Sequence, residues 1–264
     1  MGAHVYWTNY DSGTIGRANL DGSGVKQNFI TGAATPTDVA VHGKHIYWAN
    51  LTTIGRANLD GSGVNQNFIT GANFRPQGLA VDGKYIYWTN IPISGPPVSD
   101  STIGRANLDG SGVNQNFITG LSIPFGVAVD GKHIYWGEQA DTTSNGTIGR
   151  ANLDGSGVDT NFITAVVSPS GVAVHGKHIY WGDLELTGPN NTIGRANLDG
   201  SDVNQNFITD VGAPHGVSIH GEHIYWAAAG PLVARANIDG SGVNLNFITG
   251  ANFSYGMAVD GSHS

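Results

Sequence analysis

The chain has 264 residues, no cysteine, a formal net charge of −8, 40 glycines and only 12% charged residues. Glycine at about twice its usual share suits short strands and tight turns rather than helices. Without cysteine neither a disulfide framework nor a thiolate metal site can form, the acidic balance disfavours a nucleic-acid partner, and no apolar run approaches the roughly 18 residues of a membrane insertion.

In chain order, Met1-Gly2-Ala3 leads straight into the strand-like His4-Val5-Tyr6-Trp7, with no charged or apolar leader, so no signal peptide is expected here. The next word, Thr14 to Gly22 (TIGRANLDG), returns at Ile54, Ile103, Ile148, Ile193 and, worn to VARANIDG, at Val233. A period of about 40–45 residues belongs to propeller blades or to helical arrays. Each copy closes on a DGSG turn, varied to DGSD at Asp199 to Asp202, and then comes a fourth segment, VNQNFIT at Val64 to Thr70. The unit begins again with DVAVHG at Asp38 or GVAVDG at Gly126, whose alternating valines predict a strand and whose last two residues predict a hairpin turn. HIYW (His45 to Trp48, and again from His133, His178 and His223) supplies the aromatic and β-branched residues of a pleated, half-buried strand. Four strands and two tight turns per unit predict a propeller blade, because a helical solenoid tolerates neither so much glycine nor such strict alternation.

Tyr-Trp pairs at Trp7, Trp48, Trp88, Trp136, Trp181 and Trp226 count six blades. The chain opens on a second strand and finishes on a first strand, Gly256 to Gly261. One blade is therefore expected to combine three N-terminal strands with one C-terminal strand, closing residues 1–264 into a single all-β, six-bladed β-propeller and a monomer. The succession of YWTN, IGRANLDGS, a Pro-x-Gly before a GLAVD-type strand, and YW again resembles the YWTD repeats of the low-density lipoprotein receptor family, whose class B repeats form six-bladed propellers. That resemblance implies a protein-binding scaffold at the cell surface or outside the cell. The fourth letter departs from the family pattern: it is Asn9, Asn50 and Asn90, then Glu138, Asp183 and Ala228.

Residues repeated in every blade read as framework. The tryptophans are expected to pack between blades. Arg17, Arg56, Arg105, Arg150, Arg195 and Arg235 are expected to bond neighbouring carbonyls or an acid, since six equivalent arginines cannot serve one asymmetric site. Asp21, Asp60 and their equivalents fit Asx turns. Three H-G-x-H words (His42/His45, His175/His178, His220/His223) span hairpins, where a dedicated metal site is not expected, although clustered histidines allow a pH response of that face.

Function is expected where the copies differ. Loops joining second to third strands, and one blade to the next, carry most of the variation: IPISGPPVSDS from Ile91, QADTTSNG from Gln139 and LELTGPNN from Leu184. Eight acids (Asp11, Asp38, Asp100, Glu138, Asp141, Asp183, Glu185, Asp210) stand there against one base, Arg75. Nearly all the net charge thus falls on one face, which would draw cationic ligands or divalent ions. Residues just before each first strand should ring the channel mouth: Thr37, Gln77, Phe125, Ser170, His215 and Tyr255, with Asp38 in place of the usual glycine.

The leading reading is a non-enzymatic recognition module that binds a protein or glycan on this face through Thr37, Asp38, Arg75, Gln77, Phe125, Glu138, Asp183, His215 and Tyr255, with no cofactor. The alternative is a metal-assisted hydrolase, lactonase or lyase holding a divalent cation such as Ca2+ in the channel, with Asp38, Gln77 and His215 as the available donors. A third reading, prompted by the verbatim SGVNQNFITG at Ser62 and Ser111, is a recently duplicated or built propeller with no evolved ligand.

Overall fold

A computed structural model describes residues 2–71, 74–92, 100–139, 145–184, 191–228 and 230–261. Blade one contains β1 (His4–Asn9), β2 (Thr14–Asn19) and β3 (Lys26–Thr31). Blade two contains β4 (Asp38–His42), β5 (His45–Ala49), β6 (Ile54–Asn58) and β7 (Asn65–Ile69). Blade three contains β8 (Phe74–Val81), β9 (Tyr85–Pro92), β10 (Ser101–Asn107) and β11 (Asn114–Leu121). Blade four contains β12 (Ile123–Val129), β13 (His133–Gln139), β14 (Gly146–Asn152) and β15 (Asp159–Val166). Blade five contains β16 (Pro169–His175), β17 (His178–Asp183), β18 (Thr192–Asn197) and β19 (Asn204–Ile208). Blade six contains β20 (Pro214–His220), β21 (His223–Ala228), β22 (Leu232–Asn237) and β23 (Asn244–Thr249), and the last strand is β24 (Met257–Val259).

All six sheets are four-stranded meanders, and β24 pairs with β1 to complete blade one. The three-plus-one closure expected from the termini is therefore the observed one. Asp260 adds a clasp, its Oδ1 accepting the His4 N–H at 2.7 Å while its own N–H donates to the His4 carbonyl at 3.0 Å.

The core lies between blades, as the recurring aromatics require. One cluster joins Tyr6, Ile15 and Ile30 of blade one to Val39, Ile46 and Trp48 of blade two. The tryptophans and the tyrosines beside them are fully buried in every blade. Each indole lies against the glycine of IGRAN: a Cβ on Gly149 would fall 2.5 Å from Trp136 Cζ2, which is why that strand keeps a glycine in its middle. In blade six, where alanine stands in that register, Trp226 pairs with Ala234.

The repeated arginines link blades, as expected from carbonyl bonding, and they also stack. Arg56 Nη1 donates to the Leu108 carbonyl of the next blade at 3.4 Å, and its guanidinium lies 4.0 Å from the Phe68 ring centroid. Arg105 repeats the arrangement with the Leu153 carbonyl at 3.2 Å and Phe117 at 3.9 Å. The phenylalanine of NFIT is thus half of an arginine clamp. The DGSG turns are Asx turns: Asp60 Oδ1 accepts both the Ser62 N–H at 2.8 Å and the Ser62 hydroxyl at 2.6 Å.

Candidate functional site

The first strand of each blade lines the channel, and its entry sets how narrow the channel becomes. In blades three to six the register slips within the first half of this strand, between Pro76 and Leu79, Pro124 and Val127, Pro169 and Val172, and Pro214 and Val217. The slip carries a glycine (Gly78, Gly126, Gly171 or Gly216) whose missing Cβ makes room for the backbone of the next blade. Blade two has no slip, and there Asp38 takes the glycine's place in continuous register with Ala49. Its carboxylate plugs the neck: Oδ1 accepts the Val39 N–H and Oδ2 the Leu79 N–H, each at 2.8 Å, and the Met257 N–H also bonds to it. Three neighbouring blades meet on one side chain.

Burial pushes the Asp38 carboxyl up to about 7, against the pull of those three N–H groups. A folded-state value above the unfolded one, near 3.9, means that the fold favours the protonated acid. This stabilisation is complete below about pH 4 and is lost as pH rises through 7. Relative to Asp38→Asn, which does not titrate, the native protein is expected to lose about 2–3 kcal/mol between pH 5 and pH 8, at about 1.4 kcal/mol per unit of displacement. Denaturant unfolding of both proteins across that range checks it, and a constant difference would mean that the neck does not hold the proton.

Above the neck the channel opens into a cavity of about 330 Å³, lined by Thr37, Asp38, Arg75, Gln77, Phe125 and Ser170 together with His215 and Tyr255. The structure therefore brings together the mouth residues picked out by position. Two of them are already engaged. The Thr37 hydroxyl donates to the Pro76 carbonyl at 2.9 Å, and the Ser170 hydroxyl donates to the Pro214 carbonyl, so both tie one blade to the next. His215 packs at 4.6 Å from Tyr255, which meets Tyr10 edge-on at 5.1 Å. Burial lowers the His215 imidazole to about 4, leaving it neutral near pH 7.

Tyr10, Gln139 and Leu184 complete the lining and were not singled out from sequence. They share a signal, because each is the residue immediately after the fourth letter of the YWTN-type motif. Reading that column alongside the pre-strand column would have given both tiers of the mouth.

Glu138 and Asp183 do not line the cavity. Both are buried at the fourth letter, where the side chain holds the loop between blades. Asn50 does this with Oδ1 accepting the Ala34 N–H at 3.0 Å, and Asp183 does it with the Val167 and Ser168 N–H groups at 3.1 and 2.7 Å. Glu138 has an additional reason to be acidic. Trp7, Trp48 and Trp88 donate their indole N–H to Gln27, Gln66 and Gln115 on the outer strand. Blade four has Thr160 in that register, and Trp136 donates instead to Glu138 Oε1 at 2.8 Å. Blade six has Leu245 there, and Trp226 uses the Val211 carbonyl at 2.9 Å. Glu138→Ala is therefore expected to cost about 1–3 kcal/mol by stranding the Trp136 N–H, and Thr160→Gln in that background should recover most of the loss. Thermal melts of the single and double variants check this, and no recovery would place the role of Glu138 elsewhere.

Of the remaining variable-face acids, Asp11, Asp100 and Asp210 are exposed, whereas Asp141 and Glu185 lie outside the described residues, as do the tips of the three long loops. On the opposite face the H-G-x-H words sit as cross-strand pairs, for example His175 opposite His178. Among the described residues no group of three His, Cys, Asp or Glu side chains is placed to hold a metal. At the mouth both Asp38 oxygens accept backbone N–H groups, and Asp38 is the one carboxylate in the lining, where a hard cation takes several converging oxygens.

The class these features define is a six-bladed β-propeller resembling the YWTD type, in fold as well as in motif. Nidogen, solved in a nidogen/laminin complex, superposes with a TM-score of 0.74 at 20% identity, covering 100% of both chains. TolB from Acinetobacter baumannii gives 0.74 at 16% identity, over 98% of this chain and 66% of that one. A gluconolactonase from Xanthomonas campestris gives 0.65 at 16% identity, over 85% and 79%. No protein-family model and no curated protein matches the sequence.

Proposed function

We propose that this chain is a non-enzymatic recognition module of the cell surface or extracellular space, a monomer that takes a protein or glycan ligand at the channel mouth. One observation carries the reading. On a ring whose framework repeats almost residue for residue, the mouth presents a different side chain from every blade: Tyr255, Thr37, Gln77, Phe125, Ser170 and His215. Rigid scaffolds with divergent loops are where binding sites are built. The nidogen neighbour, solved with laminin, supports protein recognition on this architecture.

The gluconolactonase neighbour favours the enzymatic alternative by fold alone, and the committed Asp38 carboxylate weighs against it. The test is a combined peptide and glycan array probed with the intact chain and with Phe125→Ala and Tyr255→Ala. Ligands captured by the native protein should be lost by both variants. Capture that survives both substitutions would move the site away from the mouth.

A further inference from the structure

The mouth has a definite chemical character once its engaged groups are set aside. With the Thr37 and Ser170 hydroxyls bonded to carbonyls, the polar groups left in the lining are the side chains of Arg75, Gln77, Gln139 and His215 and the phenol hydroxyls of Tyr10 and Tyr255. None has a hydrogen-bond partner among the described residues. Each glutamine amide offers two donors and an acceptor on one planar group, and a neutral imidazole offers one N–H and one lone pair. Such a set matches a ligand whose polar groups both donate and accept. Hydroxyl groups do so, whereas carboxylates and phosphates only accept and ammonium groups only donate.

The apolar walls add a shape. Phe125 belongs to blade four and Tyr255 with Tyr10 to blade one, so in a ring of six they stand on opposite sides of the axis. Between them lies a slot with aromatic ends and amide-bearing sides. Charge disfavours a cationic occupant. Arg75 is an exposed cation at the rim, and the one carboxylate in the lining, Asp38, is already tied by backbone N–H groups on the floor. A cavity of about 330 Å³ sits at the small end of the range for small-molecule sites.

We infer that the channel mouth is a binding site for one neutral sugar ring, held between Phe125 and Tyr255 and hydrogen-bonded through its hydroxyls by Gln77, Gln139 and His215. This rests on the recognition reading and narrows its ligand to a glycan. The apolar C–H face of the ring meets the aromatic walls, and vicinal hydroxyls bridge the planar amides. A single ring makes few contacts, so weak binding to one sugar and avidity toward clustered glycans follow.

Saturation-transfer NMR of the full chain with the methyl glycosides of glucose, galactose, mannose, fucose and N-acetylglucosamine tests it. At least one glycoside should receive saturation through its ring protons, with a Kd of about 0.1–10 mM, and should bind about tenfold or more weakly to Phe125→Ala and to Gln77→Ala. Gln77→Glu, which keeps the side chain's size but removes its donors, should weaken binding to a similar degree, and a melting curve on each variant reports whether it is folded. Val243→Ala on the outer rim should bind as the native protein does. If no glycoside binds while peptides are captured through Phe125, the sugar assignment is overturned and the recognition reading stands. If neither sugars nor peptides engage the mouth, both fall.

Discussion

Truncation after Ser254 is expected to leave a chain that is unfolded or oligomeric at 37 °C. It removes β24, and with it Met257, Ala258 and Val259, all of them buried. Met257 and Val259 belong to the cluster that joins Val5 and Trp7 to Tyr225 and Val233 of blade six. Their burial alone is worth about 1.5–3 kcal/mol each. The hydrogen bonds of β24 to β1, the Asp260 clasp on His4, and the Thr8 hydroxyl's bonds from the Tyr255 and Gly256 N–H groups go as well. The total rivals the whole stability of an ordinary domain, about 5–15 kcal/mol. The truncation also leaves β1 as an unpaired edge exposing Val5, Tyr6 and Trp7, which is a template for pairing with another chain. Circular dichroism melts and light scattering read both effects. A synthetic peptide of residues 255–264 should restore the monomer by mass action. An unchanged melting temperature in a monomeric truncated chain would mean that the ring is not what holds blade one.

Blade number, strand order and closure were legible in the sequence because a repeat shows its period and its phase together. Once TIGRANLDG and YW mark the blades, an incomplete unit at each end leaves one way to finish the ring, and β24 beside β1 is that way. The mouth was legible for a related reason: residues at one register position project to one place, so Thr37, Gln77, Phe125, His215 and Tyr255 could be gathered by column. What sequence could not give was which polar groups are already engaged. Glu138 and Asp183 look like surface acids until the indole of Trp136 and the loop amides of Val167 and Ser168 are seen against them. Acidity of a face is a property of exposed carboxylates, and a column of letters does not show exposure. The arginine clamps were half legible. The sequence left a carbonyl or an acid as the arginine's partner, and the structure selects the carbonyl, whereas the stacking on Phe68 or Phe117 depends on a register between third and fourth strands that contains a bulge.

Gly126→Ala is expected to be among the most damaging single-methyl additions in the chain, lowering stability by about 4 kcal/mol or more. The new Cβ would lie 2.5 Å from the Ser170 carbonyl oxygen and the Val172 nitrogen, and 2.7 Å from the Gly171 Cα. All three are backbone atoms of blade five, so no side chain can rotate away, and overpacking against backbone has to be absorbed by moving a strand. In a closed ring that strand cannot move alone. Blade five is pressed in turn on blade six, where Gly171 meets the His215 carbonyl and the Val217 nitrogen. Asp38 shows how a side chain can occupy this ring: blade two enters its first strand without the slip, in register with Ala49, and the Asp38 carboxylate then replaces lost packing with three N–H bonds. Alanine at 126 has neither the altered register nor the acceptor. Gly83→Ala provides the control, since nothing lies within 4 Å of its Cβ and its backbone is not left-handed, and it should change stability by no more than about 0.5 kcal/mol. Chemical denaturation of the two variants separates the effects. Equal stabilities would show that the blades can spread at the neck, and the plug formed by Asp38 would then be a preference of the ring rather than a requirement of its closure.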